Sequence, residues 1–173
     1  MFHKRGIMTT SAASRPVTAL LERYARQADD VARLLSGLPE NAITQRAIPD
    51  KWSLSELLCH VRRVQQIFVS HRLEPLLATD QPELGLYDPD EDEDFEAMCG
   101  EPTLEVLAAY QDERRELVER LAALTPEQWD RAGHHPIYPQ SDVHTLFEYV
   151  VHHEAHHVYQ LFQRRALISR VPR

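Results

Sequence analysis

Glycine is scarce, at five residues in 173, and no stretch sustains the strict apolar–polar alternation of a half-buried strand. That argues against a sheet-based fold. Cysteine is scarcer still. Cys59 and Cys99 form neither a C-x-x-C pair nor a zinc-ribbon pattern, which excludes a disulfide scaffold and a thiolate zinc module and fits reduced thiols in a cytoplasmic protein. Positive charge is in deficit. The formal net charge of −8 argues against a general nucleic-acid binder, which needs a basic surface for phosphates. Long apolar runs are missing too: none approaches the roughly 18 to 20 residues of a membrane span, and the first residues, MFHKRGIMTTSAASRP, lack a signal-peptide core. No membrane partner is expected.

The chain has 43% apolar and 27% charged residues, as a globular domain does. Residues 1–14 read as a flexible tail and 15–173 as one domain. The apolar residues recur with helical period. A first helix is expected over Pro16 to Leu35, stopped by Gly37 and Pro39. A second starts at the capping box Ser53-Leu54-Ser55-Glu56 and runs to about Ala78. An acidic connection through residues 80–100 reads as a solvated loop with a short helix near Phe95. It lacks the glycine and closing glutamate of a calcium loop. A third long helix spans Thr103 to Leu124, TPEQW adds a helical turn, and a last helix starts at a second capping box, Thr145-Leu146-Phe147-Glu148. The expectation is an all-α four-helix bundle with short helical turns in its connections.

The last helix carries HHEAHH, residues 152–157, whose His153-Glu154-Ala155-His156-His157 fits the H-E-x-x-H pattern of zinc proteases. The protease reading fails for want of a third ligand. Downstream of His157 there is no Asp, Glu, His or Cys, and the longer motif would place glycine at 160 and histidine at 163, where Gln160 and Gln163 stand. The two-histidine core of the motif survives, because side chains four apart on a helix stand one above the other. At about 100° per residue, Phe147, Val151, Ala155, Val158 and Phe162 form an apolar stripe widened by Leu146, Val150 and Leu161. His157 falls inside this arc and His153 at its edge, whereas His152 and His156 face the polar side. Glu154 lies near the middle of the arc, with no partner for its charge evident from the sequence.

Two histidines hold a metal weakly, so a third donor should come from another helix. On the second helix Leu54, Leu57, Leu58, Val61, Val64 and Phe68 make the apolar face, and His60 sits at its edge. His71 has a similar angular position but lies roughly 16 Å further along the axis, so both cannot serve one ion.

KWSLSELLCHV (51–61) resembles the W-S-x-x-E-x-x-x-H start of the second helix in the DinB superfamily of YfiT-like metal-dependent enzymes, and HTLFEYVVHHEAHHVYQL (144–161) resembles its last helix. The resemblance extends from about Pro16 to Leu167. It implies a four-helix bundle with a three-histidine metal site, carried over here to His60, His153 and His157. It further implies a divalent metal cofactor, zinc or nickel, with open positions for water or substrate, and it gives Glu154 no role as a protease base. Family members of known chemistry include transferases and isomerases that use low-molecular-weight thiols such as bacillithiol. Thiol-dependent S-transfer on a small-molecule substrate is therefore the specific expectation. The alternatives are hydrolysis by a metal-activated water and a non-enzymatic, stress-associated metal-binding bundle. Glu56, one turn before His60, and Gln160, one turn beyond His157, are candidates to orient the ligands. Trp52 reads as a packing plug. Bundles of this family commonly pair, and a homodimer fits here as well.

Overall fold

The computed structural model describes residues 17–137 and 141–169. The tail expected over residues 1–14 lies outside them. Among the described residues the elements are α1 (Val17–Leu35), α2 (Glu40–Thr44), α3 (Leu54–Phe68), a π turn (Val69–Leu73), α4 (Glu74–Ala78), a 3-10 turn (Pro89–Glu91), α5 (Glu93–Cys99), α6 (Thr103–Ala122), α7 (Pro126–Trp129), β1 (Ala132–Gly133), β2 (Ser141–Asp142) and α8 (Val143–Ile168). The long helices α1, α3, α6 and α8 form a four-helix bundle. α1 packs on α6 and α8, and α3 packs on the same two from the other side. No described helix is long and apolar enough to cross a membrane.

Local chemistry explains the boundaries. Gly37 takes φ +73°, the left-handed conformation that closes a helix at low cost when no Cβ is present. Ser53 Oγ accepts from the Glu56 amide while the Glu56 carboxylate accepts from the Ser53 amide, so the capping box opens α3. Thr125 and Gln128 form an equivalent box at α7. The start of α8 departs from expectation. Its N-cap is Asp142, whose carboxylate accepts from the Thr145 amide at 2.6 Å. An aspartate ahead of the helix captures the free amide first, so Val143 and His144 are already helical and Thr145 is not a cap.

The second helix does not run regularly to Ala78. Glu74 N–H donates to the Val69 carbonyl five residues back, the signature of a π turn. Pro75 lacks the N–H that would bond the His71 carbonyl in a regular helix. That carbonyl accepts instead from Arg72 Nη1 at 2.9 Å. The core has two apolar clusters. One is built around Phe68, Leu73, Phe147 and Val151, the other around Val31, Leu57, Leu58 and Leu161. Phe162, placed on the apolar stripe by periodicity, is 57% exposed. The stripe narrows toward the end of α8, where the buried Arg164 takes up the inner face beside Leu161 and donates to the Trp52 carbonyl.

Candidate metal centre

α3 and α8 pack side by side, which brings His60 of one against His153 and His157 of the other. One ring nitrogen from each of the three lies within 4.8 Å of the other two. His60 Nε2 is 3.4 Å from His153 Nε2, and His157 Nε2 is 3.1 Å from His153 Nε2. Two nitrogens at tetrahedral positions about 2.0–2.1 Å from one ion stand about 3.3 Å apart, so both separations suit a shared zinc-sized cation.

Proton accounting supports the same fit. Burial, aided by the neighbouring imidazoles, pushes the His60 pKa down to about 3 and that of His153 to about 4, and lowers that of His157. At neutral pH all three rings are therefore uncharged, the form that binds metal. Gln160 Oε1 accepts from His157 Nδ1 at 2.9 Å, which places the single proton of that ring on Nδ1 and leaves the Nε2 lone pair aimed at the other two histidines. The Nδ1 atoms of His60 and His153 are buried without a hydrogen-bond partner. Moving the protons to Nε2 would free those atoms but crowd hydrogens where the three rings meet. A cation among the Nε2 atoms is the arrangement this donor set fits.

Glu56 takes a different place from the orienting role considered for it. Its carboxylate is held by Arg46 and the Ser53 amide, and His60 Nδ1 receives nothing from it. Gln160 does bond His157, and its amide NH2 donates to His156 Nε2 at 2.9 Å. His152 and His156 are exposed, and so is His71.

The partner of Glu154 is Arg114 of α6. The two form a two-point ion pair in which Arg114 Nη1 meets Glu154 Oε1 at 2.9 Å and Nη2 meets Oε2. The remaining Arg114 donors reach the Tyr24 carbonyl at 2.6 Å, Gln65 Oε1 at 2.6 Å and the Tyr110 hydroxyl at 3.0 Å. The Tyr24 ring lies 3.4 Å from the guanidinium carbon. Glu154 thus serves the bundle interior and is not available as a base.

The triad opens on a cavity of about 470 Å³ between α3, α8 and the connections. The Trp52 ring sits 4.7 Å from that of His60 and 5.6 Å from Phe95, so it roofs the histidines as well as packing the helix entrance. The acidic 80–100 connection contributes a wall: Leu86, Tyr87 and Pro89 line the cavity, and Tyr87 stacks on His60 at 6.4 Å. This connection is fastened to the β1 side, where Leu84 N–H donates to the His134 carbonyl and His134 N–H donates to the Pro82 carbonyl. Arg72 and His135 also line the cavity, and neither was marked as a site residue by sequence. Arg72 was hidden because regular helical counting puts it off the His60 face. His135 was hidden because it sits in an irregular loop.

YuaE of Bacillus subtilis (strain 168), an uncharacterized protein, is 22% identical to this chain over 147 residues, which cover 79% of this chain and 91% of YuaE. The solved structure of YfiT from Bacillus subtilis, described as a probable metal-dependent hydrolase with an unusual four-helix bundle topology, matches with a TM-score of 0.74 at 15% identity. That match covers 92% of this chain and 91% of YfiT, and at such identity the likeness is one of fold. Residues 23–161, which include all three histidines, match the sequence model of the DinB superfamily, and the chain belongs to that family.

Proposed function

We propose that this chain is a divalent-metal-dependent enzyme in which His60, His153 and His157 hold zinc or nickel, and that it transfers a group to or from a low-molecular-weight thiol. The observation that carries the reading is the convergence of three neutral imidazoles, two buried and one half-buried, on one wall of a largely apolar cavity. A divalent ion bound there supplies a Lewis acid with open positions, able to lower the pKa of a thiol or of water. Gln160 holds the His157 tautomer in its ligand form. Trp52 and Tyr87 exclude bulk water from the rings. His156, exposed at the cavity rim and bonded to Gln160, can pass a proton to solvent.

The choice between thiol and water rests on the missing base. Among the described residues no carboxylate lines the cavity; Glu154 is committed to Arg114, and Glu56 to Arg46 and Ser53. A thiol ionises near pH 8.5 unaided and becomes the attacking anion on the ion alone, whereas attack by metal-bound water on an ester or amide is usually assisted by a carboxylate that shuttles its proton to the leaving group. Hydrolysis is the second reading, favoured by the likeness to YfiT, described as a probable metal-dependent hydrolase.

The test is elemental mass spectrometry on untagged protein, followed by turnover of an aryl electrophile with and without added thiol and of an aryl ester without it. About one zinc or nickel per chain, lost in His153→Ala, with thiol-dependent turnover, is the expected result. Ester turnover without thiol favours hydrolysis, and failure to bind added zinc or nickel sinks both readings.

A further inference from the structure

Arg72 is a buried cation with no anion beside it among the described residues. It is 8% exposed, lines the cavity, and makes one hydrogen bond, from Nη1 to the His71 carbonyl. Among the described residues no carboxylate lies within ion-pair distance of it. Burial is the one influence on its pKa, and that influence is downward. A desolvated guanidinium is costly unless an anion meets it. Elsewhere a buried guanidinium is met by an anion or by protein: Arg114 has Glu154, the half-buried Arg62 and Arg63 have Glu113 and Asp92, and the buried Arg164, with no carboxylate at ion-pair distance among the described residues, donates to the Trp52 carbonyl. Arg72 differs from these in lining the cavity, so that it faces empty space rather than protein.

The π turn puts it there. Counted from His60 at about 100° per residue, a regular helix returns His71 to within about 20° of the His60 face and leaves Arg72 about 120° round. The turn adds one residue to the circuit, so the phase slips by about one residue and Arg72 takes the inward place. His71 is correspondingly exposed and Arg72 buried. The side chain leans toward the N-terminal end of its helix, and so toward the histidines.

We infer that Arg72 is the anchor for the carboxylate of an elongated, largely apolar substrate whose reacting end lies at the three histidines. This rests on reading the cavity as the reaction chamber. A carboxylate matches on two counts. The free guanidinium edge is a planar fork that suits two coplanar oxygens. A single positive charge neutralises a monoanion, and among the described residues no second Arg or Lys lines the cavity to meet a phosphate. His135 beside it is held toward its neutral form by burial and by Arg72 itself. Most of the remaining lining, including Ile67, Phe68, Leu86, Leu146 and Val150, is apolar, and the volume of about 470 Å³ suits a small molecule.

The test is calorimetric titration of the full chain with octanoate and with octanamide, an uncharged analogue of the same length, in metal-stripped and zinc-loaded protein. Wild type should bind octanoate about tenfold tighter than octanamide in both forms. Arg72→Met should bind both alike, at the octanamide affinity of wild type, with its zinc content unchanged. That last pair of results separates an anchor from a residue that merely ties down the His71 carbonyl. Arg72→Gln serves if the methionine variant does not fold. Absence of a preference in wild type, or a preference that survives loss of the guanidinium, overturns the proposal. A preference seen only with zinc and untouched by R72M places the carboxylate on the metal and also overturns it. Failure of the chain to bind zinc would defeat the metal reading and leave the stripped-protein result standing.

Discussion

Arg114 and Glu154 face each other across the middle of the bundle, their side chains 2% and 3% exposed, and every donor group of the guanidinium is engaged. Glu154 follows His153 directly and precedes His157 by three residues, so the pair fixes the rotation of α8 at the level of the three histidines. Removing one partner leaves a buried charge unmatched. Arg114→Met should cost about 3–5 kcal/mol in urea unfolding. Glu154→Gln should cost less, and the double variant R114M/E154M should lose less than the sum of its singles. Additive losses would show that the two side chains act independently.

Gln160 holds one proton on one ring. Gln160→Leu should leave the fold intact and weaken zinc binding by about 10- to 100-fold, read by competition with a chromogenic chelator. His152→Ala, on the exposed face of the same helix, should leave zinc affinity unchanged.

Acid should destabilise the metal-free protein through the same histidines. Their folded pKa values lie below the ordinary value near 6.5, so the unfolded chain binds protons that the folded chain refuses. Stability should be flat above about pH 6.5, fall as pH drops below that value, and level off for these groups near pH 3–4. Thermal melts of metal-stripped protein from about pH 7.5 down to about pH 4.5 read this slope. His60→Gln should make it shallower, whereas an unchanged slope would place the acid sensitivity elsewhere.

Gly133 tests the link between the cavity wall and the β1 ribbon. A Cβ there would come within 2.6 Å of the Pro82 carbonyl, a backbone atom that cannot swing aside. Gly133→Ala should therefore push away the connection carrying Leu84 and Leu86, at a stability cost of about 1–3 kcal/mol. Hydrogen exchange should show the Leu84 and His134 amides losing protection. Retained protection would mean that the connection is held from elsewhere.

Much of the architecture was legible because it is local. Helical period, the Ser53 and Thr125 caps and the stop at Gly37 are written in neighbouring residues, and α1, α3, α6 and α8 formed close to where these signals lie. Angular counting likewise separated His153 and His157 from His152 and His156, and the structure brings the first pair to His60. What could not be read is non-local or breaks the period. Arg114 meets Glu154 from a different helix, 40 residues away. Arg72 faces the cavity because one turn departs from 100° per residue. Asp142 displaces Thr145 as the cap of α8 because a preceding carboxylate competes for the same amide.

The π turn also changes how this cavity should be sought in other chains. Its inward arginine stands twelve positions after the first histidine, but one of those positions is absorbed by the widened turn. A chain lacking the extra residue would bring an arginine to the same place at eleven, on an uninterrupted helix. The feature shared by such proteins would be an angular phase, which an alignment column does not record. A gap opened at the turn would restore the correspondence.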